Sequence, residues 1–128
     1  MATSASKTYD SFESVRPHKI WPGVLAYAVR SEAVTFALIE LDPNVEVVEH
    51  SHPNEQVGFI IEGTFSFTIG GEKRELKPGD TYVIPGGVRH SAKAGPEGTV
   101  ALDIFSPPRE DWEALERAEP RTPSWPPA

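Results

Sequence analysis

The stretch NVEVVEHSHPNEQVGFIIEG, residues 44–63, decides the fold and places His50 and His52 two residues apart. Alternate residues of a strand point to the same face of a sheet, so both imidazoles can face one centre. Val48 is expected on that face as well. Gln56 follows four residues after His52, where strand alternation puts its amide on the same side.

A second stretch, GDTYVIPGGVRH from Gly79 to His90, supplies a third histidine far downstream. The chain has four histidines, and three of them lie in these two stretches. Imidazole nitrogens and an amide oxygen form a ligand set that divalent metals accept. The sequence therefore predicts a metal site made by His50, His52, Gln56 and His90.

Composition limits the classes of protein to which the chain can belong. Its 128 residues, 38% of them hydrophobic, allow one domain, and 13 prolines with 10 glycines favour a turn-rich β fold. A net charge of −7 argues against binding to nucleic acid, which needs a basic surface. No apolar run is long enough to span a membrane, cysteine is absent, and the N-terminus lacks an apolar signal region. We therefore expect a cytoplasmic protein that binds neither membrane nor nucleic acid.

The chain divides into four segments by composition. Residues 1–14 are small and polar and are expected to form a flexible arm. Residues 15–108 alternate β-rich runs with glycine and proline, which is typical of an antiparallel sandwich or barrel. Residues 109–118 predict a short helix with Trp112 on its apolar face. Residues 119–128 form a proline-rich tail, expected to be disordered or laid over a neighbour.

Within the barrel segment, turn residues set the expected strand boundaries. The sequence VRPHKIWPGVLAYAV, from Val15 to Val29, indicates one or two short edge strands. Separate strands are expected at Gln56–Ile61 and Thr64–Ile69. A last pair, joined by GPEG, is expected at His90–Ala94 and Thr99–Phe105.

Alternation along the last strand points to assembly. Two sets of residues alternate there: Ala101, Asp103 and Phe105 on one face, and Val100, Leu102 and Ile104 on the other. If the first set faces the lumen of the barrel, the second set lies outside and needs cover. The N-terminal segment, the C-terminal helix or a second subunit must supply that cover, and we expect a homodimer.

The two stretches together resemble the paired motifs of the cupin superfamily. The first stretch has Asn44 where the family's opening glycine stands and Gln56 where its glutamate stands. The second stretch matches through His90, with Ala94 where asparagine is usual. Asparagine tolerates the left-handed backbone conformation that a turn glycine supplies, so the first departure is mild. The resemblance implies an all-β fold, a double-stranded β-helix (jelly-roll, cupin barrel) with a short C-terminal helix.

The amide at position 56 is the departure that matters for chemistry. Glu55 lies beside it and is an alternative ligand, although strand alternation favours Gln56. Three neutral imidazoles and a neutral amide would leave a divalent ion its full charge. That favours Lewis-acid chemistry over the chemistry of an iron dioxygenase. The identity of the metal stays open, because zinc, nickel, iron, cobalt and manganese all accept such ligands.

A narrower resemblance joins HSHPNEQVGFIIEG to the later stretch ALDIFSPPRED. Both are similar to small one-domain cupins of the pectin-degradation type, which linearise unsaturated uronates. The resemblance implies that Asp103, Phe105 and Arg109 line the active site beside the metal. Asp103 would then shuttle a proton, Phe105 would wall the pocket, and Arg109 would hold a substrate carboxylate. A plain ion pair of Arg109 with Asp111 or Glu113 is the alternative.

The other singled-out residues have structural interpretations. His18 precedes a short apolar run in the N-terminal part and is expected at the surface. Four aromatic residues are expected to pack the barrel: Phe59, Phe65, Phe67 and Tyr82.

These observations lead to a metal-dependent enzyme of the isomerase or lyase kind that acts on a small hydroxy-carbonyl acid. By resemblance, the leading substrate is an unsaturated uronate that undergoes ring opening. The alternatives are a polyketide cyclase, an iron dioxygenase and a non-catalytic cupin that binds a small ligand.

Overall fold

The structure, a computed structural model, describes residues 7–127. Within these residues it has eight β-strands and one 3-10 helix. In chain order they are β1 (His18–Trp21), β2 (Val24–Arg30), β3 (Thr35–Leu41), β4 (Glu46–His50), β5 (Glu55–Ile69), β6 (Glu72–Leu76), β7 (Thr81–Ile84), β8 (His90–Ser106) and the 3-10 helix Glu110–Ala114. The predicted all-β class is confirmed.

The strands pair antiparallel in two layers that share β5 and β8. The first half of β5 and the second half of β8 pair with each other and continue through β7 on one side and β3, β2 and β1 on the other. The remaining halves of β5 and β8 also pair, and are flanked by β6 and β4. The lumen between the layers is the jelly-roll interior that the sequence predicts.

Two long strands replace four predicted short ones. Residues 56–61 and 64–69 belong to one strand, β5, and residues 90–94 and 99–105 belong to β8. The predicted pairing of the last two segments with each other is wrong, because the chain continues into the second layer. Glycines bend these strands without ending them: Gly63 has φ +78°, and a Cβ there would lie 2.0 Å from the Gly98 carbonyl oxygen.

The N-terminal strands also differ from the prediction of edge strands. Only β1 lies at an edge, while β2 pairs with β1 on one side and β3 on the other. In the turn after β3, Asn44 has φ 62°, the left-handed conformation expected where the motif usually has glycine.

Two apolar clusters fill the molecule. The larger one lies in the lumen and includes Ile60, Phe65 and Phe67. The smaller one lies on the outer face, where Tyr27, Leu38 and Val100 are covered from both ends of the chain; the covering side chains include Phe12, Val15 and Trp125. The terminal segments therefore supply part of the cover that the outer face of β8 needs.

The C-terminal segment is less helical than predicted. Instead of a helix over residues 109–118, a single 3-10 turn spans Glu110–Ala114, and Leu115 is already extended. Further on, Ser124 donates hydrogen bonds to Glu40, so the tail lies over the barrel of its own chain. Of the expected flexible arm, residues 1–6 lie outside the described part of the chain, and Phe12 packs against Phe36 and Tyr27. No helix in residues 7–127 has the length and apolar content of a membrane span.

Candidate metal centre

The structure brings the three motif histidines together at one end of the lumen. His50 ends β4 and is the register partner of His90, which opens β8. His52 follows in the turn after β4. One nitrogen from each of the three rings lies within 4.8 Å of the others, and the ring centroids of His50 and His90 are 4.3 Å apart.

A β-bulge in β4 aims His50 into the lumen. Val47 pairs with Ala92 and His50 with His90, so three steps on β4 match two steps on β8. The extra residue reverses the alternation, and Val47 rather than Val48 lines the pocket with the histidines. Val48 is 69% exposed. The prediction that Val48 shares the histidine face is wrong for this reason.

Backbone carbonyls fix the tautomer of each histidine. The Nδ1 atoms lie 2.8 Å from the Val48 oxygen for His50, 3.0 Å from the Asn54 oxygen for His52 and 2.9 Å from the Val88 oxygen for His90. A carbonyl oxygen only accepts, so each Nδ1 carries the hydrogen and each Nε2 presents a lone pair. Metal-binding histidines usually donate the hydrogen of their other ring nitrogen to a carbonyl or carboxylate in this way.

Gln56, the fourth predicted ligand, lies beside the histidines. Its Oε1 lies 3.1 Å from Nε2 of His52, while its amide group hydrogen-bonds to the Asp103 carboxylate. A carboxylate accepts, so the NH2 group of Gln56 donates to Asp103, and the Gln56 oxygen faces the lone pair on Nε2 of His52. Two acceptors at this distance repel each other unless a cation lies between them. These residues therefore fit a divalent metal, whereas the neighbouring Glu55 is exposed.

The electrostatic environment keeps the three imidazoles neutral. Burial lowers the pKa of His50 and His52 below the ordinary value, and the nearby Arg109 lowers both further. Burial likewise lowers the pKa of His90 to about 4. Neutral imidazole is the form that binds a metal, so the fold presents these ligands ready for use near neutral pH.

A cavity of about 430 Å³ opens in front of the histidines. Its size falls within the range of small-molecule sites. The ring of Trp21 lies edge-on to His50 at 4.7 Å between centroids, and that of Phe105 lies edge-on to His52 at 5.8 Å. Aromatic walls and a polar floor suit a small molecule with one apolar face and several oxygens.

Asp103 is a buried carboxyl group in that cavity. It is 6% exposed and lies near the end of β8, on the lumenal side with Phe105 as alternation predicts. The Tyr82 hydroxyl donates a 2.6 Å hydrogen bond to its Oδ1. Burial raises the pKa of Asp103 to about 7, although the hydrogen bonds from Tyr82 and Gln56 oppose that rise. A carboxyl group with this pKa can take up and release a proton near neutrality.

Arg109 both lines the cavity and forms an ion pair. Its guanidinium lies 4.9 Å from the Phe105 ring and 4.5 Å from the Trp112 ring. It also donates two hydrogen bonds, of 3.0 and 2.9 Å, to the Asp111 carboxylate. The alternative pairing with Asp111 is therefore present in the structure. The predicted role of Arg109 in binding a substrate carboxylate stays a prediction.

Several residues lie elsewhere than the sequence indicated. His18 is 2% exposed, so its expected surface position is wrong; it packs beside Trp112 under the C-terminal segment. Phe59 is 39% exposed on the outer face rather than packed in the barrel. Tyr82 was expected only to pack, yet its hydroxyl contacts Asp103. Its inward position is readable from alternation in TYVI, but its partner depends on strand register.

The residues that match a known family coincide with this site. The model of the cupin domain family matches residues 37–105, more than half of the chain. This chain belongs to the cupin domain family. The matched region includes all four predicted ligands as well as Asp103 and Phe105.

Two proteins named KdgF are among the similar proteins. The chain is 39% identical over 64 residues to the pectin degradation protein KdgF of Dickeya dadantii; this match covers 49% of the chain and 58% of that protein. The chain thus spans less than two thirds of that curated relative. The solved structure of KdgF from Halomonas sp. is 30% identical, with a TM-score of 0.69, and the match covers 74% of this chain and 90% of that one.

A third similar structure matches most of the fold. The RmlC-like cupin from Shewanella frigidimarina has a TM-score of 0.79 and 28% identity, and the match covers 86% of this chain and 99% of that one.

Proposed function

We propose that this cupin is a metal-dependent enzyme that opens the ring of an unsaturated uronate to give a linear keto acid. One observation carries the proposal: lone pairs of three histidines and the Gln56 oxygen converge beside a buried carboxyl group, Asp103. The likeness to KdgF supports a substrate from pectin degradation. A divalent ion bound there would supply a Lewis acid that polarises a substrate oxygen.

The chain's own groups account for the proton transfer. Asp103 accepts the proton of the anomeric hydroxyl, the C–O bond of the ring breaks, and an aldehyde forms at that carbon. The released enolate is then protonated at carbon by Asp103, which leaves a ketone. No co-reactant is consumed, because the step only moves one proton within an isomer. Asp103 serves both halves of this transfer, because the proton it accepts from the hydroxyl is the one it gives to carbon.

The walls of the cavity orient the substrate. Trp21, Phe105 and Trp112 offer flat apolar surfaces for the sugar ring and exclude water from the reacting atoms. Arg109 binds the uronate carboxylate through the guanidinium nitrogens that donate to Asp111 in the structure. The neutral ligand set adds no negative charge that would repel an anionic substrate.

The test is turnover of 4,5-unsaturated galacturonate by the metal-loaded protein. Linearisation removes the conjugated enol ether and its ultraviolet absorbance, so the reaction can be followed directly against the slow reaction in buffer. We expect acceleration that a chelator abolishes and that added metal restores. Asp103→Asn should retain the metal and lower turnover by roughly 100- to 10,000-fold.

Other outcomes assign the site to the alternatives. Tight binding of the uronate without any acceleration would identify a non-catalytic binding module. Oxygen consumption with ferrous iron would identify a dioxygenase, and either result would overturn the proposal.

A further inference from the structure

Tyr82, Gly58 and Asp103 lie in register on three neighbouring strands. Gly58 on β5 is the register partner of Tyr82 on β7 and of Asp103 on β8. Side chains two strands apart are separated by about 10 Å of sheet and by the side chain between them. Here the middle residue has no side chain, and the Tyr82 hydroxyl reaches across to Asp103.

The space above Gly58 is filled by that pair. A Cβ at position 58 would lie 2.0 Å from Oδ1 of Asp103 and 2.8 Å from a ring carbon of Tyr82. It would also lie 2.6 Å from the Leu102 carbonyl oxygen. Because Gly58 has no unusual backbone angle, the hydrogen-bonded pair and this close backbone account for the glycine.

The Asp103 carboxylate has two side-chain hydrogen-bond partners. Tyr82 donates to its Oδ1, and the Gln56 side chain is the second partner. Tyr82 is itself held by an edge contact with Phe67 at 5.0 Å between ring centroids. A carboxylate held by two anchored donors cannot rotate freely, so its position relative to the cavity is set before a ligand enters.

We propose that Tyr82 is a positioning residue, which holds the Asp103 carboxylate across the gap left by Gly58 in the orientation that proton transfer requires. The proposal rests on the proposed function, since it assigns Tyr82 to the proton-transfer step. Tyr82 lines the cavity but acts through Asp103.

The first test compares Tyr82→Phe with Tyr27→Phe in the metal-loaded protein. Both remove a buried hydroxyl and keep the ring, but Tyr27 lies in the outer cluster, with its hydroxyl 3.5 Å from Glu40. We expect Tyr82→Phe to lower kcat by about 10- to 100-fold, with KM and metal content within about twofold of wild type. Tyr27→Phe should leave all three unchanged. An unchanged kcat in Tyr82→Phe would overturn the proposal.

The second test is a double-mutant cycle with Asp103→Asn. If Tyr82 acts through Asp103, removing its hydroxyl from the Asp103→Asn protein causes no further loss of kcat. Fully additive losses would show that Tyr82 acts independently of Asp103, against the proposal.

A spectroscopic measurement separates this proposal from the proposed function. The buried Tyr82 hydroxyl proton should give a slowly exchanging, downfield NMR resonance in the wild-type protein, which moves or disappears in Asp103→Asn. If the wild type turned over no uronate, the proposed function would fail, and the resonance alone would decide on the pairing. If Tyr82→Phe does not fold, the wild-type resonance likewise decides whether Tyr82 pairs with Asp103. A wild-type spectrum without the resonance would contradict the pairing directly.

Discussion

At the scale of single residues, the chemistry of the site follows from where hydrogens lie. Each of the three histidines donates its Nδ1 hydrogen to a backbone carbonyl, and the Gln56 side chain is hydrogen-bonded to Asp103. The acceptor atoms that remain all face one point. Because every one of these ligands is neutral, a bound divalent ion would keep its full charge.

The first prediction concerns that charge. Gln56→Glu should bind metal at least as tightly as wild type, because a carboxylate attracts a dication. It should nevertheless lower kcat by about tenfold or more, since the ion's net charge falls and the new carboxylate repels Asp103. Metal affinity by calorimetry and kcat for the uronate are the measurements.

Glu55→Gln is the matched control. It makes the opposite exchange one residue away, on the exposed face, and should change neither quantity. Equal kcat for wild type and Gln56→Glu would show that the amide is incidental.

At the scale of elements, the C-terminal segment is fastened by β1. The Lys19 amide donates to the Glu116 carbonyl, the Ala118 amide donates to the Pro17 carbonyl, and His18 is buried between them. This attachment holds Arg109 and Trp112 at the mouth of the cavity. Burial, with the nearby Arg117 as a second cause, lowers the pKa of His18 to about 4.

The attachment should therefore weaken in acid. The unfolded chain takes up a proton on His18 as the pH falls through 6.5, whereas the folded chain resists until about pH 4. Stability from this group is thus present above pH 6.5 and is lost between pH 6.5 and 4, by about 1–3 kcal/mol. His18→Gln should flatten that part of the profile in chemical unfolding experiments.

Lys19→Gln serves as its control. It removes an exposed ion pair with Glu116 and should leave the pH dependence as in wild type. A profile for His18→Gln that parallels wild type would refute the assignment.

The strands also show which features of the fold and the site could be predicted from the sequence alone. Motif spacing placed His50, His52, Gln56 and His90 in one site, because alternation and turn residues are local properties. The β4 bulge, the continuity of β5 and β8, and the pairing of Tyr82 with Asp103 depend on the register between strands distant in sequence. The burial of His18 depends on a contact with residues about 100 positions away, which no local pattern encodes.

At the scale of the whole molecule, one part of the outer surface stays apolar. Val83, Val57 and Ile104 lie side by side across three strands, with exposures of 58%, 41% and 43%. Phe59 extends this patch along β5. Within the described residues, the two ends of the chain cover the neighbouring cluster instead. We propose that a second copy of the chain packs here.

The prediction is a dimer of twice 14.0 kDa by light scattering, which Ile104→Lys converts to a monomer. Val48→Lys is the control, because Val48 is also an exposed apolar residue, at 69% against 43% for Ile104, but lies on β4. A wild-type monomer at micromolar concentration, or a dimer that tolerates Ile104→Lys, would exclude this surface.

Metal binding by wild type and by His90→Ala, measured by elemental analysis and calorimetry, tests the metal centre most directly. His90 is the ligand supplied by the second motif, so its removal breaks the set and leaves His50, His52 and Gln56 of the first motif unchanged in sequence. We predict one divalent ion per wild-type chain and loss of most of it in His90→Ala, together with the stabilisation that the metal gives against heat. Full occupancy in His90→Ala, or a wild-type chain that binds no divalent metal, would contradict a metal centre at His50, His52, Gln56 and His90.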